Sequence, residues 1–235
     1  MRFIRLPTGQ IKALETFTLY SGQTITKGTS GGTISSPRNL AQTGTCWVFP
    51  GASIQDDAYV SGNAVILSGG SISQQAKVYG NAVIAGGVVK GNARVLGNAF
   101  VQSGSIVTDE AGVSGDAKII NSSKVQGRSR VQGEAIIDAG TIKDDAKVSG
   151  KAVVAGKVEE QGYVFGCAYI GAGSLVKGNA RISGCVKLVD SVLDGKAIVY
   201  GDYEIVNETI TDASLVTNCP EKAMSSDCCQ EVQEI

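Results

Sequence analysis

At 235 residues, 43% of them hydrophobic and 18% charged, the chain is long enough for one extended domain or two ordinary ones. A formal charge of −1 gives no global electrostatic case for nucleic-acid or membrane-surface binding. No run approaches the roughly 18 apolar residues of a membrane span, and the opening MRFIRLPTGQIKALETF lacks the apolar core of a signal peptide, so cytoplasmic synthesis and assembly is the expectation.

Residues 1–45 carry no repeat. IKALETFTLY has a mixed periodicity that suits either a short helix or a strand, while KGTSGGTI and SSPRNL are rich in turn formers. AQTGTCWVF then leads into the first inward pair, Cys46 and Val48. The expectation for 1–45 is a cap or attachment segment, because the open end of a stacked β-structure exposes unpaired backbone groups.

From Cys46 to about residue 206 a small residue is followed two places later by an aliphatic one, and the unit recurs every six residues. Ala58 and Val60, Ala64 and Ile66, Gly70 and Ile72, Ala76 and Val78, Ala82 and Ile84 show it most plainly. Alternation within so short a unit puts the small and aliphatic side chains on one face of a strand and the residue between them on the other. A turn signal every six residues leaves strands too short for an ordinary sheet and points to a parallel β-helix that buries its own interior.

Every third unit departs from the Gly-Asn-Ala pattern. Its small positions, Ala52, Gly70, Gly87, Ser105, Ser123, Gly140, Gly156, Ser174 and Ser191, lie 16 to 18 residues apart. The coil is therefore nominally 18 residues, three hexads around a triangular section, with the missing residues removed at one corner. The predicted architecture is all-β: a single-stranded parallel β-helix over 46–215, about nine to ten coils stacked at roughly 4.8 Å, between the segment 1–45 and a cysteine-containing tail, 216–235.

Hexads such as VSGNAV and VYGNAV resemble the left-handed β-helix of the hexapeptide-repeat superfamily. The lead-in GTSGGTI…NLAQTGTCWVF followed by GNA repeats resembles, more narrowly, a bacterial and phage-encoded group labelled acyltransferases. The resemblance implies a left-handed coil and, as is common in the superfamily, a homotrimer. It also implies catalysis by a histidine that deprotonates the acceptor, beside a loop that breaks out of the coil. This chain has no histidine and no long insertion between its coils, so that mechanism fails residue by residue. Asp56 with Asp57, and Asp144 with Asp145, are carboxylates that could replace a histidine base, but they stand where turn geometry alone favours Asp.

Read as columns, the outward residues divide into three faces. One presents Val65, Val83, Phe100, Lys118, Ile136, Val153, Tyr169 and Lys187, beside a second column that includes Leu67, Ile120 and Val189. Two apolar stripes outside a β-helix predict an interface with other copies of the chain, with burial under the terminal segments as the alternative. The predicted interface residues are Val65, Leu67, Val83, Phe100, Ile120, Ile136, Val153, Tyr169 and Val189. A second face presents Tyr59, Lys77, Arg94, Gly112, Arg130, Lys147, Tyr163 and Arg181. Its cations, Lys77, Arg94, Arg130, Lys147 and Arg181, are candidates to track an anionic polymer, unless they are a solvated face whose field Asp57, Asp109, Glu110, Asp144 and Asp145 neutralise.

Cys167 and Cys185 occupy the same corner of successive coils, where either a disulfide or a ladder of reduced thiols fits. Asn63, Asn81 and Asn98, continued by Asp116, form a column of turn amides expected to take the left-handed conformation. Cys219, Cys228 and Cys229 in the tail match no zinc spacing, and neither a metal nor a cofactor is indicated. The expected function is that of a non-catalytic structural or assembly protein, a β-helical rod of a phage or prophage virion that meets its assembly partners through residues 1–45. The alternatives are an acyltransferase-like enzyme with a base other than histidine, and a binding module for an anionic polymer or glycan.

Overall fold

The computed structural model describes residues 1–211 and 215–218, so Cys219, Cys228, Cys229 and the rest of the predicted tail from 219 lie outside the described residues. The chain folds as two compact units, Met1–Ser122 and the residues from Ser123 onward. Each is a β-solenoid whose coils are built of two- to four-residue strands stacked in parallel on three sheets, and no α-helix occurs among the described residues.

In the first unit a full coil contributes one strand to each sheet: Ser53–Ile54 to the first, Tyr59–Val60 to the second and Val65–Leu67 to the third. Three further coils repeat the order as far as Lys118–Ile120. Pairing is parallel and in register, with Tyr59 beside Lys77, Lys77 beside Arg94, and Val65 beside Val83. Every inward aliphatic from Ile54 to Ile119 is 0% exposed, and the alanines opposite the turns are equally buried. Small residues at one inward position and β-branched ones at the next let the three strands close around a packed interior.

The corners explain the Gly-Asn pairs. Gly80 has φ +75, and a Cβ there would stand 2.8 Å from the Gly97 nitrogen and 2.9 Å from its oxygen, so the position needs glycine on both conformational and steric grounds. The left-handed residue is thus the glycine of each pair, and the expectation that the asparagines adopt that conformation is corrected. The asparagines are instead a hydrogen-bonded ladder. Thr45 Oγ1 donates to Asn63 Oδ1 (2.9 Å), Asn63 Nδ2 to Asn81 Oδ1 (3.0 Å), Asn81 Nδ2 to Asn98 Oδ1 (2.9 Å) and Asn98 Nδ2 to Asp116 Oδ1 (2.8 Å).

The coil begins earlier than Cys46. Thr33 and Ile34 pair in parallel with Ser53 and Ile54, Leu40 bridges Val60, and Trp47–Val48 pairs with Val65 and Ile66, which together make one more turn. Its middle strand is replaced by a 3₁₀ turn, Pro37–Asn39, which hides the hexad in the sequence. Asn39, 2% exposed, stands in for the missing pairing. Its Nδ2 donates to the carbonyls of Asp56 and Ala58 (both 2.8 Å), and its Oδ1 accepts from Ser35 Oγ and the Ser36 N–H. IKALETFTLY resolves as strand, in Gln10–Ala13 and Phe17–Thr18. Phe3–Arg5 and Gln10–Ala13 add antiparallel to the first sheet and occupy its outer edge.

Beneath this cap lies the thiol of Cys46, buried and donating to the Ala41 carbonyl at 3.5 Å. Burial pushes it from 9.0 to about 11, against the opposing pull of the Arg2 charge. Because the folded value lies above the unfolded one, the neutral thiol contributes stability that is complete below pH 9 and is lost as pH rises through 11, about 3 kcal/mol in all. Urea titrations of the protein and of Cys46→Ala from pH 8 to 11 check this. The destabilisation caused by the substitution shrinks with rising pH, and a constant gap contradicts the assignment.

The second unit repeats the plan. Five complete coils run from Lys124–Val125 to Glu204–Val206, followed by Thr209–Ile210 and by Leu215–Asn218, which pairs in parallel with Ile198–Gly201. Its inward aliphatics from Val125 to Leu193 are 0% exposed. Buried serines replace glycine or alanine at the shortened corner and satisfy their hydroxyls locally, Ser123 Oγ donating to the Ile137 carbonyl and Ser174 Oγ to that of Leu188, both at 2.9 Å.

Candidate anion-binding site

The second sheet of the second unit carries Arg130, Lys147, Tyr163, Arg181 and Ile198 on consecutive rungs, each the register partner of the next. Inward Val131, Val148, Val164, Ile182 and Val199 are buried, so strand alternation leaves these five side chains outside. Two residues before each of them, in the turn that leads into the strand, a parallel column follows at the corner: Arg128, Asp145, Gln161, Asn179 and Lys196. The two columns line an open groove of about 900 Å³ that gathers five cations and one carboxylate.

The cations differ in how they are held. Arg128 Nη2 pairs with Asp145 Oδ2 at 2.7 Å, and Arg130 Nη1 donates to the carbonyls of Arg128 and Ser129 at 2.8 and 2.9 Å, which fixes both guanidinium groups at one end. Lys147, Arg181 and Lys196 form no ion pair among the described residues. Lys143 and Lys177, two residues before Asp145 and Asn179 in the same corner turns, behave otherwise. Lys177 Nζ lies 3.0 Å from Asp194 Oδ2, and Lys143 Nζ lies 3.2 Å from Glu159 Oε2. The hydrogen bond from Lys177, aided by the Gly195 N–H, holds the Asp194 carboxyl below its ordinary range. Salt bridging is therefore available along this side of the solenoid and is not used by three cations of the groove.

Tyr163 sits at the middle rung. Its ring stacks on Phe165 (centroids 4.6 Å apart, planes at 27°), and its hydroxyl shares a 3.0 Å hydrogen bond with Ser149 Oγ. Ring and hydroxyl are thus fixed before any ligand arrives.

Of the five cations expected to face an anion, Arg130, Lys147 and Arg181 meet in this groove. Lys77 and Arg94 are adjacent rungs of the second sheet in the first unit, between Tyr59 and Gly112. The expected column on this face holds only the middle residue of each strand and so leaves out Arg128 and Lys196. The residue two places earlier has the same parity, so the signal was present.

The turn carboxylates serve the backbone. Asp56 (φ 55) accepts the Gln74 N–H on Oδ2 at 2.9 Å, and Asp144 (φ 59) accepts that of Glu160 at 3.1 Å. Among the described residues no group of three or more Cys, Asp or Glu is arranged to hold a metal ion.

The apolar column of the third sheet starts under cover. Val65 is 7% exposed, a correction to its expected place on an open face. Its register neighbour Trp47 is fully buried, with the Phe17 ring edge-on at 5.7 Å, so the N-terminal segment closes over that end. Leu67, Val83, Phe100 and Ile120 in the first unit, and Ile136, Val153 and Val189 in the second, are partly exposed, and Tyr169 is exposed. Cys167 is disulfide-bonded while Cys185 carries a thiol, so the two are not joined to each other. In-register neighbours of a parallel ladder point the same way, which holds their Cβ atoms near the ~4.8 Å strand spacing, beyond the ~3.8 Å typical of a disulfide.

No protein-family model matches the chain, and no curated protein is similar to it.

Proposed function

We propose that this protein is a non-catalytic β-solenoid scaffold that binds an anionic polymer along the groove of its second unit. One observation carries the reading: Lys147, Arg181 and Lys196, without ion pairs among the described residues, converge with Arg128, Arg130 and Tyr163 on one face of a chain whose net charge is −1. A solvated surface would intersperse its charges, as Lys143, Glu159, Lys177 and Asp194 do two residues earlier in the same turns. Among the described residues nothing in the groove is set up for proton transfer, since the chain has no histidine and the lining carboxylate, Asp145, is held by Arg128. Service as a building block of a virion or another large assembly fits a scaffold of this kind and rests on the resemblance of the coil pattern.

Retention on immobilised polyphosphate, polyuronate and oligothymidylate tests the proposal. Three unpaired cations correspond to a salt slope of about −2 and a loss of roughly 20-fold between about 50 and 200 mM salt. Failure to retain the protein on any polyanion at the lower salt overturns the reading.

A further inference from the structure

We infer, on the reading that the groove binds an anionic chain, that its ligand is an acidic polysaccharide with a carboxylate on every second sugar. An uncharged sugar lies on Tyr163, and its charged neighbours meet Lys147 and Arg181. The argument begins with spacing. Lys147 and Arg181 are separated by the single rung of Tyr163, so their backbones stand two strand spacings apart, about 9.6 Å. That is the scale on which alternate rings recur in an extended chain of β-linked pyranoses.

The middle rung determines what lies between the charges. Tyr163 is fixed by its stack on Phe165 and by the hydroxyl bond to Ser149, and it lines the groove with an aromatic ring of set orientation. The face of an aromatic ring is electronegative, so it accepts the C–H face of a neutral sugar and repels a carboxylate placed over it. Gln161 and Asn179 line the same stretch, and each carboxamide can both donate to and accept from sugar hydroxyls. Cations at both ends, with the Tyr163 ring and the Gln161 amide on the rung between them, match alternating charge along the ligand.

The same features disfavour two other polyanions. A polymer charged on every sugar would carry a carboxylate over the Tyr163 ring. Single-stranded nucleic acid binds through successive bases stacked on several aromatic side chains, and Tyr163 is the one aromatic side chain that lines this groove among the described residues.

The test is calorimetry on the full chain with three probes of matched length at low salt: a hyaluronan oligosaccharide, charged on alternate sugars; an oligogalacturonate, charged on every sugar; and oligothymidylate. The expected result is hyaluronan binding at least about tenfold tighter than either of the others, the size of one aromatic stacking contact. Tyr163→Leu is expected to abolish that preference and Tyr163→Phe to keep it, with the β-sheet circular dichroism of both variants unchanged. Equal binding of all three probes overturns the alternating-charge proposal and leaves the polyanion scaffold standing. Tighter binding of oligothymidylate overturns it in favour of nucleic acid. Binding of none removes the scaffold function as well.

Discussion

Replacing Lys147 and Arg181 together by glutamate is expected to weaken binding of an anionic polymer at least about 100-fold at 50 mM salt and to flatten its salt dependence. Two of the three cations without ion-pair partners are lost, which removes about 1.4 from the log–log salt slope, and two repulsive charges are added. Both side chains are exposed, and neither makes an ion pair among the described residues, so the denaturation midpoint should stay put. The neutral pair Lys147→Gln and Arg181→Gln should fall between, with a loss of about tenfold and the same reduced slope. Reversing Lys177 is the control. It lies beside the groove, two residues before Asn179 in the same turn, but already pairs with Asp194, so its reversal should cost some stability and little affinity. Equal losses from the Lys177 and the Lys147/Arg181 reversals would show that bulk charge is being read, and the groove would lose its claim.

The largest effect on stability is expected from Gly156→Val. Gly156 has an ordinary backbone conformation, so glycine is required there by space alone. A Cβ would run into the carbonyl oxygens of Gly171 and Ser174 on the next rung and would stand 3.1 Å from Ile170 Cγ2. The Ser174 carbonyl accepts the Lys157 N–H at 2.9 Å, so the added carbon must part the rungs or break that bond. Overpacking against backbone costs about 3 kcal/mol or more, and here the neighbouring rung shares the distortion. Gly28→Ala is the comparison. There φ is +93 and nothing lies within 4 Å, so the cost is only the left-handed conformation, about 1 kcal/mol. Guanidinium melts of the two variants should separate accordingly. A midpoint for Gly156→Val equal to that of Gly28→Ala would mean that the rungs yield more easily than the packing implies.

The interior was legible in the sequence because it obeys one rule at every rung: small, then outward, then aliphatic. Ile72, Val78 and Ile84 needed nothing beyond period and polarity to be placed inside. The first turn escaped because Pro37–Asn39 interrupts the hexad, and the pairing it lacks is supplied by the Asn39 side chain, which no strand periodicity announces. The groove was half visible. Arg130, Lys147 and Arg181 follow from the alternation, whereas their division into held and unpaired cations depends on where Asp145, Asp194 and Glu159 reach, a matter of rotamer and corner geometry. For Val65 the pattern gave the correct side of the strand and the wrong environment, since Phe17 and Trp47 arrive from a segment without a repeat.

The ladder from Asn63 to Asp116 has a consequence for chain length. Its steps are 18, 17 and 18 residues, yet all three hydrogen bonds keep lengths of 2.8 to 3.0 Å, because the missing residue is taken out elsewhere on the perimeter. The column works like the binding edge of a book. Pages may differ in width at the open margin, provided every sheet is sewn at the spine. Length variation, and with it any grafted loop, belongs at the corner that carries Gly69, Gly86 and Gly104, and one residue added between Gly80 and Ala82 would unpick two stitches at once.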